Sequence, residues 1–207
     1  MAEETWDHLW RQIEDPAEVG RIFADYPGIW CVAGGWALDL FTGEQSRPHE
    51  DIDMVVARAD LPLLHAAFPH WELVAAHGVL TPWEAGKPLP GGAHDIWCKG
   101  ASGFFEAQFM VSEFTDTEWV FRRNDRIRGP RAEMIVTSGF GLPIMAPEIQ
   151  LLYKSALTRR PKDDQDFAHT LPFLSAERRA WLASHLALLY GEHPWLMDLQ
   201  DEAPSTA

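Results

Sequence analysis

Cysteine is nearly absent: Cys31 and Cys98 stand alone in 207 residues. Two cysteines in strand-like text build no disulfide framework and contain no C-x-x-C, so they read as reduced thiols of a cytoplasmic protein. No apolar run approaches the roughly 18 residues that span a bilayer, so no membrane association is expected. The opening MAEETWDHLW is acidic and amphipathic, unlike the basic-then-apolar pattern of a secretory signal. Positive charge is scarce as well. Seventeen Lys and Arg against 31 Asp and Glu leave a formal charge of −14, which argues against an extended nucleic-acid interface. An acidic chain is compatible with a small cationic partner, and equally with charge that serves solubility alone. H-E-x-x-H, G-x-S-x-G and G-x-x-x-x-G-K-[ST] are all missing, which removes a zincin, a hydrolase elbow and a P-loop kinase from consideration.

What remains is an ordinary globular composition, 46% hydrophobic and 23% charged, long enough for one good core. Ten tryptophans are many, and Trp83, Trp97 and Trp119 are candidates for stacking on a ring, with core packing the commoner outcome. Residues 4–25 alternate at helical spacing and predict one or two helices that end near Tyr26-Pro27-Gly28. A buried strand is expected over residues 29–33, followed by a Gly34-Gly35 turn and a short helix over 36–41 that stops at Thr42-Gly43. Residues 51–57 alternate as a second strand, and Asp60 is positioned to cap a helix over 61–67. Strand-like text runs from 71 to 111 with turn punctuation, and 118–127 adds a further strand and turn. After Pro147 the text becomes helical, with Ser175 as an N-cap. This order gives an α/β (α+β) domain with a mixed sheet over residues 1–143, a helical segment over 144–200, and a disordered tail at 201–207.

The stretch AGGWALDLFTGEQSRPHEDIDMVV, residues 33–56, holds the chemistry. Residues i and i+2 of a strand share a face, so Asp51 and Asp53 project side by side. Two adjacent carboxylates repel and lose hydration, and a hard divalent cation is the natural neutraliser. Mg²⁺ is typically held by one or two carboxylates plus substrate phosphate oxygens, and a pair of such ions suits in-line displacement at phosphorus. Gly34 and Gly35, lacking side chains, let backbone N–H groups and a helix N-terminus approach a phosphate tail. Arg47 and His49 flank the pair. Lys154 lies on the helix PEIQLLYKSAL, and Arg122, Arg123, Arg126 and Arg128 form the basic cluster of the chain.

These residues resemble the nucleotidyltransferase superfamily related to DNA polymerase beta, whose signature is a Gly-Gly or Gly-Ser turn, a short helix and a D-h-D strand. GGWALD followed by RPHEDID is closer to the aminoglycoside and lincosamide adenylyltransferase-like group. HDIW, WVFRRNDRI and APEIQLLYKSALTRRPKDDQDF extend the likeness over roughly residues 29–170. The resemblance implies two Mg²⁺ ions on Asp51 and Asp53, with a triphosphate held by Gly34, Gly35, Arg47, His49 and Lys154. It implies transfer of AMP from ATP to a hydroxyl of a small acceptor such as an aminoglycoside, with release of pyrophosphate. A third carboxylate is expected on a neighbouring strand, where this chain has Gln108. Glu106, two residues earlier and expected on the same face, is the substitute, and Asp95 is its rival. Two other readings stand beside this one: a toxin-type enzyme acting on protein or RNA, and a catalytically silent nucleotide-binding module. A homodimer is also compatible with the sequence.

Overall fold

The computed structural model describes residues 9–11, 15–49, 51–115 and 117–200. Parts of the expected N-terminal helix and the whole expected tail lie outside them. Helix α1 (Pro16–Ile22) starts where Asp15 accepts the Ala17 N–H at 2.8 Å. Strand β1 (Trp30–Val32) then leads into α2 (Gly34–Thr42), which Gly43 terminates in the left-handed conformation at φ 82°. Strand β2 (Asp53–Ala57) follows the loop. Asp60 sits at the N-cap position of α3 (Leu61–Ala67), but its carboxylate accepts the Ile29 N–H at 2.7 Å instead of capping.

Strands β3 (Glu72–Ala76), β4 (Leu80–Pro82), β5 (Asp95–Lys99) and β6 (Phe105–Phe114) build one half of the sheet. Then come β7 (Glu118–Val120), β8 (Arg128–Pro130), the turn of helix α4 (Arg131–Met134), β9 (Ile135–Thr137) and β10 (Pro143–Met145). The spatial order is β4-β3-β5-β6-β2-β1-β10-β9, with β7 and β8 continuing from β6. Pairs β2–β6 and β1–β10 are parallel and the rest antiparallel, so this is a mixed sheet. Because β10 pairs with β1, the sheet runs on to Met145, and the C-terminal helices begin at Pro147. These are α5 (Pro147–Lys154), α6 (Pro161–Thr170), α7 (Ala176–Tyr190) and α8 (Trp195–Gln200). Ser175 caps α7 as expected, accepting the Arg178 N–H.

Alternation along the strands divides the sheet between two cores. One face sends Ile52, Met54, Val56, Ile96, Phe109 and Val111 against Phe23, Leu64 and Phe68 of the N-terminal helical layer. The other sends Cys31 and Val55 against Ile149, Leu152, Phe167, Leu182 and Trp195 of the C-terminal helices. Asp53 stands on that second face, between Met54 and the opening beneath α5. Trp83 and Trp119 are buried in the cores, and Trp97 packs edge-on against Trp10 and Phe105, so packing accounts for all three.

Candidate active site

The cleft lies on the second face of the sheet, under the C-terminal helices, with a volume of about 390 Å³. Its floor carries Asp53, Val55 and Met110, and helix α5 supplies Gln150, Tyr153 and Lys154 from one face at i, i+3 and i+4.

The glycine pair is explained by close approach. Gly34 has φ +68°, and a Cβ there would stand 2.4 Å from Asp53 Oδ2. A Cβ on Gly35 would meet His49 Cε1 at 2.5 Å and Arg47 Nη2 at 2.6 Å. Gly34, the first residue of α2, is therefore packed against the start of β2, and Gly35 against Arg47 and His49 of the loop before it, and a side chain at either would push the elements apart. The Gly34 N–H is already engaged, donating to Gln150 Oε1 at 2.8 Å. What meets a ligand at this turn is thus the Gly34 surface and the Asp53 carboxylate, backed by α5.

Asp53 is half-buried at the start of β2, and Asp51 is exposed just before it. Burial raises the Asp53 carboxyl from 3.8 to about 6. The charge of Asp51 adds to the rise, Lys154 opposes it, Asp95 raises it further and Arg160 lowers it. No group of three or more His, Cys, Asp or Glu side chains gathers as a metal cage among the described residues. The donor set nevertheless suits Mg²⁺: two hard carboxylates close enough for one to raise the other, incompletely neutralised, with space for a substrate to complete the shell.

Lys154 is buried and reaches the cleft. Its ammonium donates to Asp166 Oδ2 at 2.8 Å and approaches Asp163 Oδ1 at 3.4 Å. Arg47 forms a two-pronged pair with the same Asp166, at 2.8 and 3.0 Å. Burial alone would raise the Asp166 carboxyl, but hydrogen bonds from Arg47 and Lys154 hold it below the ordinary range. Asp163 also takes the Arg160 N–H and guanidinium, closing the start of α6 as a cap. His49 packs on Trp36 and bonds Asp39 Oδ2 at 2.5 Å through Nε2, with both side chains buried. Arg47 and His49 thus tie the loop before β2 to α6 and α2, and neither lines the cleft.

Glu106 behaves differently from expectation. Between β5 and β6, Cys98 pairs with Ala107 while Lys99 pairs with Phe105, which leaves Glu106 as the extra residue of a β-bulge. Alternation breaks there, and Glu106 turns to the face of Cys98 and Trp71. Its carboxylate accepts Trp71 Nε1–H at 2.9 Å and the Ser102 hydroxyl at 3.3 Å, tucked over Gly100. Glu106 and Gln108 therefore do not share a face. Gln108 pairs directly with Asp53 across β2–β6, and its amide donates to Asp95 Oδ1 at 3.3 Å. Asp95 is paired with Met110, so it stands on the same face as Asp53 and Gln108. Asp95 is thus a carboxylate on the face of Asp53.

Several cleft residues were not anticipated: His94, Ser112, Gln150, Tyr153, Arg159 and Arg160. Gln150 and Tyr153 were legible through their helical spacing to Lys154. Of the basic cluster, Arg122 and Arg123 line the cleft, while Arg128 bonds the Asp125 carbonyl and pairs with Glu118. With Lys154, Arg159 and Arg160, five of the chain's 17 Lys and Arg gather around the cleft against Asp53 and Asp163. In an otherwise acidic protein the lining of this cleft carries more cationic than anionic side chains.

Comparison with known proteins agrees with this architecture. A sequence-family model described as aminoglycoside-2''-adenylyltransferase matches residues 17–74, the segment that holds the glycine pair and both aspartates. Among solved structures, the lincomycin-bound lincosamide antibiotic adenylyltransferase LnuA aligns with a TM-score of 0.54 at 16% identity, over 75% of this chain and 93% of that one. ANT(2'')-Ia in complex with adenylyl-2''-tobramycin aligns with a TM-score of 0.55 at 14% identity, over 84% and 96%. A solution structure of the antibiotic-resistance factor ANT(2'')-Ia gives 0.55 at 14%, over 85% and 91%. No curated protein matches by sequence.

Proposed function

We propose that this chain, which shares the fold of the antibiotic adenylyltransferases and matches their family model over residues 17–74, is a nucleotidyltransferase that transfers a nucleoside monophosphate from a nucleoside triphosphate to a hydroxyl of a small antibiotic-like acceptor. The observation that carries this reading is the contact of Gly34 with Asp53 in a cleft ringed by five cationic side chains. ATP is the donor that the relatives' descriptions suggest. An aminoglycoside is the leading acceptor, since the acidic remainder of the surface attracts cations.

Asp51 and Asp53 would hold the divalent cation, which when bound offsets charge on the phosphates. Lys154 and Arg160, the cations that act on Asp53, neutralise the triphosphate and the departing pyrophosphate. The acceptor oxygen forms a bond to the α-phosphorus as the bond to the pyrophosphate oxygen breaks, and the hydroxyl proton passes to a carboxylate. Asp95 takes that role here in place of Glu106, with Gln108 holding its oxygen. Asp166 and Asp163 fix the Lys154 ammonium at the cleft wall.

Gln108 opposite Asp53, together with the outward turn of Glu106, supports one rival: a silent nucleotide-binding module. The two readings separate in an end-point mass-spectrometric assay with Mg²⁺, each of the four nucleoside triphosphates, and panels of aminoglycosides and lincosamides. Transfer predicts an acceptor heavier by one nucleoside monophosphate, absent with Asp53→Asn. Bound nucleotide without any such product in either panel would favour the silent module.

A further inference from the structure

Resting on the nucleotide-transfer reading, we propose that the end of the cleft farthest from Asp53 is the nucleobase slot and that the Ser112 hydroxyl reads the base edge. The β2–β6 register fixes the layout: Asp53 lies opposite Gln108, Val55 opposite Met110, and Ala57 opposite Ser112. Past the bulge, Gln108, Met110 and Ser112 alternate onto the cleft face. Ser112 is therefore displaced from the Asp53 level by four residues, about 13 Å of strand, a separation comparable with the reach from an α-phosphate to the edge of its base.

Polarity changes along that line. The phosphate end holds Asp53 and, linked to one another by ion pairs, Lys154, Arg160 and Asp163. The far end offers flat surface instead: Met110, and the Tyr153 ring with the Arg123 guanidinium 5.7 Å from its centre and Arg122 beside it. A planar base is suited to such a wall, since aromatic rings and guanidinium planes stack on it with little dependence on sequence.

Ser112 is the group without an evident structural purpose. It is 6% exposed and lines the cleft, and its Oγ makes no hydrogen bond of normal geometry, although the Tyr153 phenol is its neighbour. The Tyr153 phenol is the neighbour on which this hydroxyl can lean, and a hydroxyl both donates and accepts, so a ligand edge can take up the capacity that Tyr153 leaves. Nearby, His94 Nδ1 lies 3.2 Å from Arg58 Nη2, a group that can only donate. His94 is thus held neutral with its proton on Nε2, in keeping with the lowering of its basicity by burial and by Arg122 and Arg58. Ser112 can accept or donate, and His94 offers a donor. Together they can discriminate base edges that differ in amino and carbonyl groups.

The test is direct binding of ATP, GTP, CTP, UTP and inorganic tripolyphosphate in the presence of Mg²⁺, followed by calorimetry. Ser112→Leu, which fills the slot, should weaken every nucleotide by about tenfold or more and leave tripolyphosphate unchanged. Ser112→Ala, which removes only the hydroxyl, should narrow the spread among the four nucleotides and serves if the larger side chain prevents folding. Nucleotide affinities that stay unchanged in both variants, or tripolyphosphate weakened in parallel, would overturn the slot. If the unaltered protein binds neither tripolyphosphate nor any nucleotide, the transfer reading itself fails, an outcome distinct from the loss of the slot alone.

Discussion

Replacing Asp53 with Asn should destroy transfer and make the metal-free protein more stable. The Asp53 carboxyl is raised from 3.8 to about 6, first by burial and then by Asp51. That difference corresponds to about 3 kcal/mol at neutral pH, reduced toward 1–2 kcal/mol by the water that reaches a half-buried group. The sign follows from proton occupancy. The folded carboxyl keeps its proton to higher pH than the unfolded one, so stability is lost as pH rises from about 4 to about 6 and stays lost above it. Asparagine is nearly isosteric and preserves the fit against Gly34, so it removes the charge without opening a cavity. Urea denaturation in EDTA measures the effect: Asp53→Asn should gain about 1–2 kcal/mol at pH 7.5 and roughly half of that at pH 5. A variant that is less stable at pH 7.5, or a gain equal at both pH values, would refute the idea that Asp53 is an uncompensated charge held for a ligand.

Other perturbations follow from the same geometry. Asp166→Asn leaves Arg47 and Lys154 without their shared partner and should cost about 3–5 kcal/mol at pH 7. Because the Asp166 carboxyl is held low, the native contribution should fade as pH falls through and below the ordinary carboxylate range, which a pH series of denaturation curves would show. Gln150→Leu orphans the buried Gly34 N–H and should destabilise by about 1–3 kcal/mol; a restored level with Gln150→Glu near the carboxyl's protonation range would identify the lost acceptor as the cause. Gly35→Ala drives a methyl into His49 and Arg47, and soluble expression with unchanged thermal stability would contradict that packing. For transfer rates, Asp95→Asn should reduce turnover by at least about 100-fold, whereas Glu106→Gln should leave it within a few-fold. A reversal of those two results would return the base role to Glu106.

Much of the architecture was legible because it is periodic. The alternation of residues 51–57 announces a strand, and the structure starts it at Asp53, leaves Asp51 before it, and places Met54 and Val56 in one core and Val55 in the other. The glycine pair before a short helix was also readable, although the sequence pointed to phosphate contact and the structure adds a steric reason in Asp53. The third carboxylate was misread because strand alternation assumes an unbroken register. One extra residue between Lys99 and Cys98 partners reverses Glu106, and nothing local in FFEAQF signals that bulge. Arg47 and His49 looked like cleft residues from their nearness to Asp51 in sequence. Their partners, Asp166 and Asp39, lie 119 and 10 positions away, and only tertiary packing brings the first of them in. Arg159 and Arg160 escaped notice for the same reason: their position over the cleft depends on how α6 follows α5, not on any spacing within the chain.

The most direct measurement of the central claim is pyrophosphate release in the presence of Mg²⁺ and a nucleoside triphosphate, followed with and without an acceptor from the aminoglycoside and lincosamide panels. The account predicts release that requires an acceptor hydroxyl, matches adduct formation one to one, and vanishes with Asp53→Asn. Release that is indifferent to every acceptor, or that persists at the same rate in Asp53→Asn, would contradict it.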